Sequence, residues 1–385
     1  MRIRTTRLAT LAVAAALTLG GSVAVGSANA STDDHADTKV SARSGLGIVD
    51  NASAVANPDG TYTIGWTDRW PGPMHVYAST DVDRFTQIVA TSTGTSVRIT
   101  GLDTTKRWYF NVTPAGPFIG VVVAPRTIGL QSAPNARDIG GYRTNWGLTV
   151  KYGQVFRSDA FGKATDADVA RLAALGLDEA VDFRTDVETA QNGPNRLPAG
   201  VTAKNLPIAD GNLTNIINGA VGSKDPVKQQ EQLGDGKAAA ALETIYKGFV
   251  DDPAQRAQFA TVLRDLAEGK SVIYNCTAGK DRTGWMTAVI LKAVGVDDAT
   301  IYGDFLATNA NLKTRNDATK AGLKAGGLMQ NPDLLDPLLY VQKSYLDTAF
   351  AQVKVKYGSF DNYLRKGLNI DPITALKLQA QLLTF

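Results

Sequence analysis

Apolar and polar positions along this 385-residue chain fall into two textures. From about Leu46 to Arg126 they alternate with a period of two. "TYTIGW" (Thr61 to Trp66) puts every second side chain on the apolar side. "HVYAST" and "SVRIT" repeat the pattern, and turn residues such as Pro58-Asp59-Gly60 separate the runs. Such runs predict short strands, each buried on one side. From about Thr127 helical spacing takes over, interrupted by short apolar runs. "TDADVARLAALG" (Thr165 to Gly176) predicts a helix with a threonine cap and a terminal glycine. "DEAVDF" follows as a strand, "PAQRAQFATVLRDLAEG" as a helix and "SVIYN" (Ser271 to Asn275) as another strand. "TGWMTAVILKAVG" is an apolar helix ending at Gly295, and Asp371-Pro372 opens the last helix, with aspartate as cap and proline in the first position. Strands alternating with helices predict a largely parallel or mixed sheet covered on both faces. Residues 209–240, rich in Gly, Asn, Lys and Gln, break this alternation. They read as an inserted excursion and a candidate lid.

The β region closes with "GLDTTKRWYFNVTP" (Gly101 to Pro114) and a last strand in "FIGVVVAP". The first of these resembles the fibronectin type III signature, a Gly-Leu turn before a strand with an aromatic residue just ahead of a buried apolar one. The resemblance spans about 80 residues and implies an immunoglobulin-like, all-β sandwich of seven strands over 46–126. The expected fold is therefore an α/β domain over 127–385 behind an all-β sandwich whose partner the sequence does not name.

The N-terminus adds a third texture. Arg2, Arg4 and Arg7 lead into an apolar run from Leu8 to Leu19, and Ala28-Asn29-Ala30 fits a small-residue cleavage site. Residues 1–30 read as a secretory signal peptide cut near Ala30, because the run is short for a membrane span. Polar, aperiodic residues 31–45 read as a disordered leader. The expected product is secreted, with no transmembrane anchor. The net charge is +3, and three arginines but no acid precede residue 31, so the mature chain is close to neutral. Nothing in that balance points to nucleic acid.

Cys276 is the one cysteine of the chain, so an exported product could not use it in an intrachain disulfide. It stands inside "YNCTAGKDRTGW" (Tyr274 to Trp285), between a predicted strand and a predicted helix. Backbone N–H groups of a tight loop entering a helix N-terminus bind an anion, and Gly279 permits the backbone angles such a loop requires. The helix dipole and Arg282, six residues on, favour a thiolate, and the guanidinium suits a bidentate grip on phosphate oxygens. Thr277, Ala278, Gly279, Lys280, Asp281 and Arg282 would then form the anion cradle around a nucleophile. A nucleotide-binding loop does not fit the same letters: Asp281 follows the lysine, and position 274 is tyrosine rather than glycine. His35 and His75 are the only histidines and both lie outside this region, so neither a metal nor a cofactor is expected.

The Cys-x5-Arg loop followed by Thr283 resembles the signature of the protein tyrosine phosphatase superfamily. "CTAGKDRTG" is similar to the loop of the secreted tyrosine and phosphoinositide phosphatases of mycobacteria and Listeria. "NARDIGGY" (Asn135 to Tyr142), "GQVFRSDAF" (Gly153 to Phe161), "VDFRTDVE" (Val181 to Glu188) and "IYGDFLATN" resemble further segments of that family, in order. The resemblance implies a phosphomonoesterase with a phosphocysteine intermediate on Cys276, acting on phosphorylated protein or lipid. It also implies that Asp281, inside the loop, protonates the leaving group. Asp182, at a predicted strand end, is the alternative acid, or else a structural partner of Arg184. Lys280 would reach a second negative group or simply neutralise Asp281. Arg137-Asp138 and Arg157-Ser158 would brace the loop. One position departs from the pattern: Asn275 stands where the family has histidine, which puts turnover in question. A rival of another class is an extracellular binding or adhesion protein that keeps a degenerate phosphatase fold.

Overall fold

The computed structural model describes residues 48–384. The expected signal peptide over 1–30 and leader over 31–45 lie outside the described residues. Seven strands open the described chain: β1 (Val49–Ala56), β2 (Tyr62–Asp68), β3 (Met74–Ser79), β4 (Gln87–Ser92), β5 (Ser96–Ile99), β6 (Tyr109–Pro114) and β7 (Val121–Val123). They form two antiparallel sheets, ordered β1-β2-β5 and β4-β3-β6-β7. The inward positions of both sheets meet in one apolar cluster. Val49, Ile64, Trp66 and Ile99 come from the first sheet, and Met74, Val76, Phe110, Val112 and Val123 from the second. The alternation of Tyr62, Ile64 and Trp66 is thus the inward face of β2.

Short strands β8 (Arg137–Asp138), β9 (Thr149–Val150) and β10 (Val155–Ser158) follow, then α1 (Asp166–Ala173), β11 (Glu179–Asp182), α2 (Asp186–Asn192) and β12 (Thr202–Asn205). Next come α3 (Leu213–Ser223), α4 (Pro226–Leu233), α5 (Lys237–Asp251), α6 (Pro253–Ala267), β13 (Val272–Asn275), α7 (Arg282–Ala293) and the long α8 (Asp298–Ala325). The chain continues through α9 (Asp336–Leu339), α10 (Lys343–Tyr357), α11 (Phe360–Asn362) and α12 (Pro372–Leu382) to β14 (Leu383–Thr384). Strand order is β12-β11-β13-β10-β8, parallel except for β8, so the expected mixed sheet is present. Both faces of this sheet are buried. Val155, Val181, Val272 and Tyr274 join the main core, whereas their neighbours Phe156, Ala180 and Ile273 pack with Leu172 of α1 on the other side.

Residues 209–240, the candidate lid, hold two regular helices and the start of a third. Asp225 caps α4 by accepting from the amides of Val227 and Lys228, and Pro226 occupies its first turn. Ala220, Val221 and Leu233 enter the core. The buried Gln229 spans the gap by donating to the carbonyls of Ala220 and Leu328. The polar composition of this stretch hid its helices.

The two halves of the chain touch through a buried ion pair and an aromatic contact. Arg107 donates to Asp138 at 3.2 Å, and both are buried. Tyr109 packs with Ala124 and Tyr152, and its hydroxyl lies 2.7 Å from where a Cβ on Gly153 would stand. Arg126 belongs with the second half: its guanidinium stacks on the Tyr142 ring at 3.9 Å and donates to the Asp138 carbonyl.

Candidate active site

In register, Asn275 of β13 lies beside Ser158 of β10 and Asp182 of β11, and Asp182 beside Asn205 of β12. The four parallel strands therefore end together in polar residues. The loop from Cys276 to Asp281 leaves this edge and enters α7, as is usual for sites on open α/β sheets. Cys276 itself is buried, with 2% of its surface exposed, against the main core.

The loop is gripped by its carbonyls. The Thr277 carbonyl accepts from the Ala160 amide at 3.3 Å. Asn135 donates to the carbonyls of Ala278 (3.2 Å) and Gly279 (3.0 Å), and Arg157 donates to Gly279 at 2.8 Å. In a trans peptide the N–H points opposite to the C=O. The amides of Ala278, Gly279 and Lys280 are thereby turned to the inner side of the loop, where an oxyanion would sit. Gly279 has φ +64°, and a Cβ there would stand 2.4 Å from the Ser158 carbonyl oxygen. Only glycine lets the loop lie this close to β10.

The bracing residues rest on α8. Arg157 and Arg137 both pair with Asp304, at 2.6 and 2.9 Å, and Tyr142 donates to the same carboxylate. Burial pushes the Asp304 carboxyl up, but the charges of Arg137 and Arg157 prevail and hold it well below the usual carboxylate range. Arg137 also fixes Asn135 through its side-chain oxygen. Of the expected braces, Arg157 holds the loop directly and Arg137 through Asn135, with Asp304 as their common anchor. Asp138 instead accepts from Arg107 and two glycine amides, and the Ser158 hydroxyl donates to the Asp159 carbonyl.

Arg282, at the start of α7, donates to both oxygens of Glu188 at 2.7 and 2.6 Å and to the carbonyls of Phe183 and Ile208. Glu188 also accepts from the Thr277 hydroxyl and from the amide and hydroxyl of Thr185. Burial alone would raise its carboxyl, but hydrogen bonds and charge from Arg282, with help from Thr277, bring it down to about 2. Burial likewise opposes the Arg282 charge, yet Glu188 and the Cys276 sulfur hold its pKa well above the ordinary value. Glu188 thus fixes the Arg282 guanidinium in place. Its sequence signal was ambiguous, since Thr185-x-x-Glu188 also reads as a helix capping box, and the box is indeed formed.

The two carboxylates proposed as acids are placed differently. Asp182 is bound by the Arg184 guanidinium through both oxygens, at 3.0, 3.0 and 2.7 Å, and accepts from Asn195 and Asn275 as well. Every contact marks it as a brace. Asp281 is partly exposed and faces Lys280, whose Nζ lies 2.9 Å from Oδ2, while the Tyr246 hydroxyl donates to Oδ1 at 3.1 Å. Lys280 is folded onto Asp281 and is 4% exposed. Asn275 donates to Asp182 and to the Cys276 carbonyl, and its own oxygen accepts from Asn195 at 2.7 Å. Asn195 has no local sequence signal and completes an amide pair with Asn275. The Thr283 hydroxyl oxygen is buried beside the loop without a hydrogen-bond partner. Among the described residues, no group of three or more His, Cys, Asp or Glu is placed to hold a metal ion. No helix among them is long and apolar enough to cross a membrane.

Comparison with known proteins agrees with this geometry. The profile of the tyrosine phosphatase family matches residues 128–384. A protein of Cupriavidus necator named as a tyrosine-protein phosphatase, H16_A0669, is 32% identical over 267 residues, which is 68% of this chain and 90% of that protein. The triple specificity protein phosphatase PtpB of Mycobacterium tuberculosis is 30% identical over 260 residues, 61% of this chain and 92% of that one. The solved structure of TpbA from P. aeruginosa in complex with pTyr is 17% identical, covering 54% of this chain and 90% of that chain with a TM-score of 0.21. With that family match lying over a gripped cysteine loop, the chain belongs to the tyrosine phosphatase family and is a protein-tyrosine-phosphatase-like phosphomonoesterase.

Proposed function

We propose that this is a secreted phosphatase that hydrolyses phosphotyrosine and at least one phosphoinositide, with a fibronectin type III-like sandwich before its catalytic domain. The observation that carries the catalytic reading is the set of three loop amides turned inward between Cys276 and an Arg282 held by Glu188. A phosphoryl group in that cradle has its oxygens on the amides and guanidinium and its phosphorus over the sulfur. Cys276 attacks phosphorus, and the P–O bond breaks with its electron pair on the leaving oxygen. Asp281 gives that oxygen a proton. Water then attacks phosphorus, returns a proton to Asp281, and the S–P electron pair goes back to sulfur. Asp281 is favoured over Asp182 because its carboxylate is partly exposed at the loop, whereas Asp182 is locked by Arg184. The basic, short N-terminal run before Ala30 supports export, and the sheet order β1-β2-β5 against β4-β3-β6-β7 supports the fibronectin-like reading.

Breadth of substrate rests on Lys280. Its ammonium now neutralises Asp281, and a flexible four-carbon stem lets it turn to a second phosphate when one is present. The triple specificity in the name of the mycobacterial relative fits such breadth. Cys276→Ser should abolish turnover of p-nitrophenyl phosphate while the enzyme still binds vanadate, because the amide cradle survives. Substantial residual hydrolysis would sink the mechanism. On a panel of substrates, phosphotyrosine peptide and phosphoinositide should both be hydrolysed and phosphoserine only weakly. Lys280→Ala should reduce phosphoinositide turnover more than phosphotyrosine turnover; equal losses would leave Lys280 with its neutralising role alone.

A further inference from the structure

Beneath the loop lies an aromatic cluster with one polar atom aimed at Asp281. Tyr246 of α5 is fully buried. Its ring packs on Tyr345 of α10 at 5.6 Å, on Phe249 at 5.1 Å and on Phe305 of α8 at 6.2 Å between centroids. Phe305 lies against Gly284 in the first turn of α7, where an added Cβ would meet its ring at 2.8 Å. The ring of Tyr246 is therefore held by helices that also abut the loop, and its hydroxyl has little freedom. That hydroxyl donates to Asp281 Oδ1 at 3.1 Å. Burial, and then the charge of Asp281, hold the phenol well above its ordinary pKa, so it stays a neutral donor.

The two oxygens of Asp281 have unequal partners. Oδ1 accepts from the fixed Tyr246 hydroxyl and, at 3.2 Å, from Lys280. Oδ2 has Lys280 at 2.9 Å. Lysine is a flexible partner that turns away when a substrate anion competes for it; a tyrosine wedged among three rings is not. We propose that Tyr246 is a positioning residue for proton transfer: it anchors Asp281 through Oδ1 and leaves Oδ2 as the oxygen that hands a proton to the leaving group. In the first half-reaction the Oδ2–H bond breaks, and the proton joins the leaving oxygen as that oxygen takes the P–O electron pair. In the second, water gives a proton back to Oδ2 as its oxygen bonds to phosphorus. The inference rests on the reading of Asp281 as the acid, and the test separates the two.

Tyr246→Phe keeps the ring and removes only the donor. Turnover of phenyl phosphate and p-nitrophenyl phosphate, and inhibition by vanadate, are measured for the native enzyme, Tyr246→Phe, Asp281→Asn and the double variant. A poor leaving group needs the proton and a good one does not. Tyr246→Phe should therefore lower kcat for phenyl phosphate about tenfold and for p-nitrophenyl phosphate by less than about threefold, with vanadate inhibition within roughly twofold of native. In the Asp281→Asn background the same change should add almost nothing, because the two act through one group. Equal losses on both substrates, or an undiminished effect in that background, overturn the positioning role. If Asp281→Asn depends on the leaving group and Tyr246→Phe does not, Tyr246 alone loses its role. If Asp281→Asn shows no such dependence, the acid assignment falls first and this inference with it.

Discussion

Replacing Glu188 by glutamine removes one charge from beneath Arg282 and changes almost no volume. The structure sets the size of the effect. The side chains of Glu188 and Arg282 are 7% and 8% exposed, so solvent screens the pair little. A carboxyl that titrates at about 2 in the folded chain, against an ordinary value of 4.5, contributes on the order of 3 kcal/mol at neutral pH. Breaking a buried pair on one side costs about 3–5 kcal/mol by general experience, which agrees. For a domain of this size that is a fall in Tm of roughly 6–12 °C. The sign follows from the depressed value. The stabilisation is fully present above pH 4.5 and is lost as pH falls toward about 2. The gap between native and Glu188→Gln in urea unfolding should therefore be about 3 kcal/mol at pH 7 and less than half of that, roughly 1.4 kcal/mol, at pH 3. Activity at pH 7 should fall as well, with weaker vanadate binding, because the guanidinium is no longer aimed. A gap below about 1 kcal/mol at pH 7, or one equally large at pH 3, would refute the reasoning.

Gly279→Ala should leave a folded protein with turnover reduced by about 10²-fold or more, since the new Cβ forces the loop away from Ser158 and displaces the reacting atoms; near-native kcat would show that the cradle tolerates that shift. Arg107→Met should lower stability by roughly 3 kcal/mol, less whatever the Gly140 and Gly153 amides still supply to Asp138, while the kcat of the folded enzyme stays near native. Thermal unfolding and p-nitrophenyl phosphate turnover of the same sample read both, and a large loss of kcat would mean the β region reaches the site.

How much of this was legible in the sequence depends on distance along the chain. The cysteine loop, its strand and its helix are local, and eleven residues from Asn275 to Trp285 contain the geometry. The period-two runs before Arg126 became strands because each has one buried face. What escaped is what other elements bring. Glu188 reaches Arg282 across 94 residues of chain, Asn135 reaches Gly279 across 144, and Tyr246 reaches Asp281 across 35. No periodicity encodes those meetings. Asp182 was suspect because it ends a strand at the site, and only side-chain contacts reveal that Arg184 occupies it. The helices within 209–240 were missed because their buried face includes Gln229, a polar residue satisfied by two carbonyls that sequence spacing does not display.

The way the loop is gripped bears on how this enzyme could be retuned. Its holders, the Ala160 amide, Asn135 and Arg157, take hold of carbonyl oxygens, which every amino acid carries. Position 278 therefore contributes backbone to the cradle and keeps its half-buried side chain out of that grip, whereas the Lys280 ammonium is tied to Asp281. A library varied at Ala278 alone samples new rims with the grip on the loop and the Lys280–Asp281 pair unchanged. Position 279 offers no such freedom, because there the chain presses backbone against backbone. Selectivity among phosphorylated molecules is thus a property that can drift or be engineered in this chain without re-evolving its chemistry.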